Sequence, residues 1–474
     1  MHNYKRKTID PIYARQYRVY IEDAPVFLKD DTIELQKFIK ARIRTGDDKQ
    51  ILYDIDEGKI CPSKSLQDSI AGMIQGNKEF VMIDDQKVVY EQILATAVQC
   101  ARDQKKRTVI VQGGPGTGKS VIAVNLLAEL NRRGQFAQYA SKNSAPRAVY
   151  AQRLKGAKKK SVVEHLFKGT GMYVEANPGM VQTIIVDEAH RMNEKSGMFH
   201  NLGKNQIMEV IRASYCSVFF IDECQRVTLS DIGSVEEIEK WANKAHSEII
   251  KMNLVSQFRC NGSDGYLAWL DDALEIRQTA NINLVDFDFD IRVLDTPNEV
   301  RDIIIQKNKE NHRSRLLAGY CWDWISSGKD DTNVHDICIG DFAMSWNLNN
   351  SIFAIGDNSI NQVGCIHTAQ GLEFDYVGVI IGDDMRYESN HIVTDYTKRA
   401  RTDQSLKGIK KLAKQNLSEA QLRADEIIKN TYRTLMTRGM KGCYIYCTNQ
   451  ELSNYFRQRL SFRKSPEHKI GLEQ

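Results

Sequence analysis

The run Gly113-Gly114-Pro115-Gly116-Thr117-Gly118-Lys119-Ser120 has the residue types and spacing to hold a phosphate chain. Its glycines let backbone N–H groups turn toward phosphate oxygens with no Cβ in the way. Lys119 can reach the β- and γ-phosphates, and the Ser120 hydroxyl can ligate Mg2+. A second cluster, Asp187-Glu188-Ala189-His190, follows about 70 residues later. Asp187 suits the outer contact to Mg2+. Glu188 suits positioning or deprotonating a water that attacks the γ-phosphate. Together these are the parts of a triphosphate hydrolase, and the cofactors expected are ATP and Mg2+. Guanine-reading sites carry Asn-Lys-x-Asp, whereas the Asn-Lys pairs here continue to Phe80, His246 and Asn311.

Such residues need a scaffold that aims them at one point. Thr108 to Gln112 is a β-rich apolar run just before the glycine loop, and Val121 to Leu130 reads as a helix just after it. Gln182 to Val186 and Ser217 to Ile221 read as buried strands, each closed by an aspartate, Asp187 and Asp222. Ligands of parallel α/β sheets sit at the carboxyl ends of strands, which puts both aspartates beside the site. The alternation restarts after residue 280. Pro297 can open a helix capped by Thr296 or Asp295, and strands are predicted at Arg315 to Tyr320, Tyr376 to Ile381 and Cys443 to Tyr446. This half has no phosphate loop of its own.

At 474 residues the chain is long enough for two or three domains. The net charge of +4 permits nucleic-acid binding without establishing it. Two local runs are more basic, KGAKKK at 155–160 and KRARTDQSLKGIKKLAK at 398–414, and either can equally be a solvated face. The ten cysteines form no CxxC ladder, so a zinc site has no support. No apolar run reaches membrane-spanning length and no signal-peptide pattern follows Met1. A cytoplasmic protein without membrane contact is expected.

The order and wording of these motifs resemble superfamily 1 helicases, and within them the Schlafen group-3-like DNA/RNA helicase domain family. The resemblance spans residues 4 to 460. Its most specific stretches are the glycine loop, DEAH, GCIHTAQGLEFDYVGVIIG at 364–382 and YRTLMTRGMKGCYIY at 432–446. It implies an α/β protein of two RecA-like domains: an accessory segment at 1–80, a first domain at 81–280, and a second at 281–474 with a charged insertion at 384–430.

The resemblance also implies roles. Gln86 reads adenine, since a side-chain amide donates and accepts at once. Gln225, in DECQ, senses the γ-phosphate. Arg259, in SQFRC, and Arg438 act as arginine fingers from outside the glycine-loop half. Ser141, Lys142 and Asn143 touch a single strand, as do His367, Thr368 and Gln370, while Gly371 and Glu373 shape their loop. Trp322, Trp324 and Trp346 are open to two readings, base stacking or core. The partner implied is single-stranded nucleic acid, DNA ahead of RNA, and Gln370 before Gly371 leans toward 5′→3′ movement. Relatives often carry a nuclease-like domain ahead of the helicase region, which raises a nuclease domain or a protein partner. No carboxylate–lysine cluster of that kind stands in this sequence, so no nuclease activity is expected from it. The alternative to a motor is an ATP-gated switch or scaffold that binds a partner without translocating.

Overall fold

The computed structural model describes residues 7–9, 11–16, 18–23, 25–42, 66–75, 77, 82, 84–155, 159–197, 201–255, 264–279, 289–325, 331–348 and 352–461. Two parallel sheets organise them. The first contains β1 (Arg107–Gly113), β2 (Ala137–Ala140), β3 (Phe167–Lys168), β4 (Val181–Val186), β5 (Ser214–Ile221) and β6 (Glu248–Leu254). Their order is β3-β2-β4-β5-β1-β6, and every neighbouring pair is parallel. The apolar run predicted as a strand is β1, at an interior position where both faces must be covered. Val109 and Val111 join one buried cluster with Ile122 and Leu126, while Ile110 joins the other with Ile184 and Phe219. That alternation is the period of two of a strand. The helix Lys119–Arg132 supplies Ile122, Ala123, Leu126, Leu127 and Leu130 to the buried face. Truncating Leu126 to Ala there costs about 2–5 kcal/mol.

A parallel sheet collects the carboxyl ends of its strands at one edge. The glycine loop after β1, Asp187 after β4 and Asp222 after β5 therefore open on the same side, with β5 lying between β4 and β1.

The second sheet joins β7 (Asp290–Val293), β8 (Ser314–Ala318), β12 (Phe374–Ile381) and β15 (Gly439–Cys447) in the order β7-β15-β12-β8, again all parallel. Beside it, β9 (Ile337–Ile339), β10 (Phe342–Trp346) and β11 (Gln362–Val363) form a small mixed sheet, and β13 (Met385–Glu388) pairs with β14 (His391–Thr394) as a hairpin. The helix expected after Thr296 runs Pro297–Asn311. Thr296 caps it by accepting the Glu299 N–H at 3.2 Å, and Pro297 fills the first turn, where its missing N–H costs nothing. The protein is thus a pair of RecA-like α/β lobes, with parallel sheets flanked by helices.

Three attachments join the lobes and their appendages. The helix Leu66–Gln75 packs Leu66, Ile70 and Met73 into the main core, and Gln67 Nε2 reaches the Glu373 carbonyl at 3.3 Å. The helix Asp264–Ala273 precedes the second sheet in sequence but is fastened to the second lobe. Asp271 pairs with Arg433 in the interior, and the Tyr266 hydroxyl donates to the Met436 carbonyl at 3.1 Å. The charged stretch after β12 is an arm made of the β13–β14 hairpin, the helix Ile409–Gln415 and the helix Leu417–Met436. Asn416 caps the last of these by accepting the Glu419 N–H at 3.1 Å. That helix continues past residue 430 and delivers the chain to β15.

Candidate active site at the lobe interface

The glycine loop turns at Gly116 (φ 81°) and Gly118 (φ 85°), both in the left-handed region. A Cβ on Gly118 would also lie 2.1 Å from Gln86 Nε2, so only glycine lets Gln86 close over the loop. Gln86 is buried and donates to the Thr117 carbonyl at 3.0 Å. The Thr117 hydroxyl donates to the Gly114 carbonyl at 3.0 Å, pinning the loop's fold. Lys119 opens the following helix and bends its Nζ back to the carbonyls of Gly113 (2.6 Å) and Gly114 (2.7 Å). Its ammonium therefore stands inside the loop that the phosphates of a nucleotide can enter. A Cβ on Gly114 would meet nothing within 4 Å, which leaves the outer side of the loop open.

Asp187 is buried at the end of β4. It accepts the Tyr139 hydroxyl at 2.7 Å and the Glu188 N–H at 3.0 Å, and the Ser120 hydroxyl also bonds to it. Burial, and then the charge of Glu188, pushes the Asp187 carboxyl up against the pull of Ser120, Tyr139 and Lys119. Glu188 goes the other way. Burial opposes its charge, but the hydrogen bond and charge of His190 and the charges of Lys119 and Arg438 hold it well below the usual range. His190 Nε2 stands 3.0 Å from Glu188 Oε2. Two adjacent carboxyls are thus pushed in opposite directions, Asp187 up and Glu188 down. Glu188 sits at φ 55°, a left-handed position that a non-glycine residue holds only when its surroundings insist.

The second lobe completes the site. Arg438 is buried just before β15 and donates from Nη2 to Gln225 Oε1 at 3.1 Å, while Gln225 Nε2 donates to Asp222 Oδ2 at 2.6 Å. Gly371 (φ 84°) brings the loop after β11 against the first lobe. A Cβ there would stand 2.7 Å from Pro146 and 3.8 Å from Glu188 Oε1.

Gln370, next to it, is fully buried between the lobes. It donates to the Gln225 carbonyl at 3.2 Å, lies 3.1 Å from His190 Nε2 and accepts from Arg191. Arg191 also pairs with Asp231 at 2.9 Å and reaches Asn143 Oδ1 and His367 Nδ1, each at 3.4 Å.

The residues expected at a strand lie along this network. Lys142 Nζ bonds Asn193 at 2.7 Å and Asp231 at 3.2 Å, and burial, against the pull of Asp231, brings its amine down to about 8. Ser141 is fully buried. His367 is held neutral, at about 3, by burial and then by the charges of Arg191 and Lys142. Thr368 is buried and folds onto its own loop, taking the Cys365 N–H at 2.9 Å and donating to the Cys365 carbonyl at 3.0 Å. Glu373 offers its carbonyl to Gln67. Trp346 is core, edge-on to Tyr320 at 5.1 Å, while Trp322 and Trp324 are half-buried against the same core. Arg259 lies outside the described residues.

His190 closes the acidic motif, but its contact with Glu188, like the roles of Arg191 and Asp231, shows only in the fold. Asp231 stands in a loop with no pattern to mark it.

Among the described residues no helix is long and apolar enough to cross a membrane. The Schlafen group 3, DNA/RNA helicase domain family matches residues 106–449, well over half the chain. An uncharacterized protein of Saccharomyces cerevisiae is 24% identical over 379 residues, covering 72% of this chain and 82% of its own length. Among solved structures, the Pif1 helicase from Candida albicans aligns at 12% identity with a TM-score of 0.28, and the alignment spans 48% of this chain and 55% of that one. S. cerevisiae Dbp5 bound to RNA and ADP BeF3 aligns at 12% identity with a TM-score of 0.29, over 79% of this chain and 92% of that one.

Proposed function

The chain belongs to the Schlafen group 3, DNA/RNA helicase domain family, and from that premise we propose that it is an ATP-dependent helicase or translocase that moves along single-stranded nucleic acid. One observation carries the reading: Arg438 of the second lobe reaches Gln225 of the first at 3.1 Å, at the sheet edge that also carries the Lys119 loop and Glu188. A triphosphate between Lys119 and Arg438 meets cations from both sides, and each lobe alone supplies half of its environment.

In this account Lys119 leaves the Gly113 and Gly114 carbonyls for the phosphates, and Gln86 sits where the base enters. The Ser120 hydroxyl and Asp187 carboxyl are a hard oxygen donor set that fits Mg2+, an ion usually held by one or two carboxylates together with substrate phosphates. Bound there, Mg2+ supplies charge neutralisation on the phosphate oxygens. Glu188 orients the attacking water and takes its proton. Arg438 stabilises the charge that develops on the γ-phosphoryl group, with Arg259 as a second candidate for that work. Gln225 holds Arg438 in place and registers whether a γ-phosphate is present.

Domain closure on ATP and release after hydrolysis would alternate the grip of the two lobes on a strand. Ser141, Lys142, Asn143, His367, Thr368 and Gln370 are the candidate contacts or supports of that strand, and Gly371 and Glu373 shape the loop that links them to the nucleotide. ATPase activity measured with and without single-stranded DNA or RNA tests the reading. Strong stimulation, followed by strand displacement from a 5′ or a 3′ overhang, supports a motor. Activity that no strand alters supports an ATP-gated switch instead.

A further inference from the structure

The arm of the second lobe encloses a cavity of about 700 Å3 whose walls include Tyr396, Arg399, Arg401, Asp403, Lys407 and Lys410. Its most buried cation is Arg399. The Nε of that side chain holds Asp384 at 2.9 Å, and its Nη1 holds Asp403 at 3.0 Å and Ser405 at 2.6 Å. Its Nη2 is buried with no hydrogen-bond partner. Arg401, Lys407 and Lys410 line the cavity, Lys398, Lys411 and Lys414 neighbour them in sequence, and all six are exposed with no ion pair among the described residues. Asp384 and Asp403 both pair with Arg399, and Asp323 accepts the Arg401 N–H at 2.9 Å.

The cavity is not remote from the lobe interface. The Arg399 guanidinium lies 5.5 Å from the Tyr320 ring, that ring lies 5.8 Å from His367, and His367 touches Arg191. On its other side the arm clasps the segment just after Gln225. The Leu229 N–H donates to the Ser405 carbonyl at 2.8 Å, and Asn430 donates to the Arg226 carbonyl at 3.1 Å.

We propose that this arm is a second seat for single-stranded nucleic acid, taking the phosphodiester backbone into the cavity beside Arg401, Lys407 and Lys410 and along the lysines that follow. The proposal rests on the function given above and adds a site to it. A merely solvated basic face has no reason to line a cavity of this size. A single small anion needs one or two cations, whereas a spaced row of them suits a polyanion. Lys410 and Lys414 stand four apart on one helix and so share a face, which turns the row into a track. Continuity with the His367 loop favours a strand over an acidic protein as the occupant.

The test replaces Arg401, Lys407 and Lys410 by Glu together and measures binding of fluorescently labelled single-stranded DNA and RNA by anisotropy across a salt series. The affinity should fall at least about tenfold and the salt slope should flatten by about 2, three contacts at roughly 0.7 each. ATPase without a strand should stay at the wild-type level, which also shows that the variant is folded. The conservative variant Lys407→Arg/Lys410→Arg should bind as wild type, and Gln404→Trp, which fills the cavity without changing charge, should weaken binding. Wild-type affinity and slope in the triple variant would overturn the proposal and leave the arm to an acidic protein partner, with the motor reading intact. A wild-type protein that binds no strand at all would remove the motor reading and this site with it.

Discussion

Arg438 of the second lobe donates to the side-chain oxygen of Gln225 of the first at 3.1 Å, across a boundary that separates them by 213 positions in sequence. Gln225 in turn donates to Asp222 at 2.6 Å. A buried guanidinium held this way is pre-positioned, so little rotamer entropy remains to be lost when charge develops beside it. The same bond makes the seam between the lobes sensitive to whatever occupies the nucleotide site.

Glu188 and Lys119 should separate turnover from binding. Replacing Glu188 with Gln removes the proton acceptor and keeps the shape, so ATP turnover should fall by about 10²–10⁴ while ATP still binds. Replacing Lys119 with Ala should lose both. Nucleotide binding by fluorescence and turnover by phosphate release make the comparison; normal turnover in the Glu188 variant would take that residue out of its role.

Gln370 should couple the two ligands. A leucine in its place leaves the buried Gln225 carbonyl without the Gln370 donor and takes one partner from Arg191, which keeps Asp231, while His190 keeps Glu188. Stranding buried polar groups costs roughly 1–3 kcal/mol apiece, which a denaturant midpoint reads. Basal ATPase should persist and its stimulation by a strand should shrink. Undiminished stimulation would mean that the Gln370 contacts are structural only.

Lys142 gives the site a pH dependence. Its amine is brought down to about 8 mainly by burial, with Arg191 adding to the effect and Asp231 opposing it; His367 beside this group is neutral. As a phosphate contact it must be charged, so affinity for a strand should drop as pH rises from 7 toward 9, and a Lys142→Arg protein should not show the drop. Stability moves oppositely. Between about 8 and the ordinary lysine value of 10.5 the unfolded chain holds the proton that the folded one has lost, so the fold gains stability with rising pH. A wild-type affinity that stays flat from pH 7 to 9 would exclude Lys142 from the strand site.

Much of this architecture is local in the sequence. The strand ending in a glycine loop, the strands ending in Asp187 and Asp222, and the Thr296–Pro297 helix start all announce themselves within a few residues, because apolar runs, caps and turns are short-range physics. The lobe seam is not. The Arg191–Gln370 contact joins residues 179 positions apart and exists only once both sheets have formed and docked. The helix Asp264–Ala273 reads as the tail of the first domain because the alternation restarts after it, yet its buried Asp271 pairs with Arg433 of the second lobe. Ser141, Lys142 and Asn143 follow a strand, which suggests an exposed edge. Ser141 and Asn143 are buried instead, and Lys142 is held by Asn193 and Asp231, first-lobe residues far from it in sequence.

The most direct test of the two-sided clamp is the steady-state ATPase of Arg438→Ala beside the wild type, each titrated with single-stranded DNA and RNA. Stimulation of the wild type and a turnover roughly 10³–10⁵ lower in the variant are expected, with ATP still bound to the Lys119 side. Equal turnover in the two proteins would contradict the clamp.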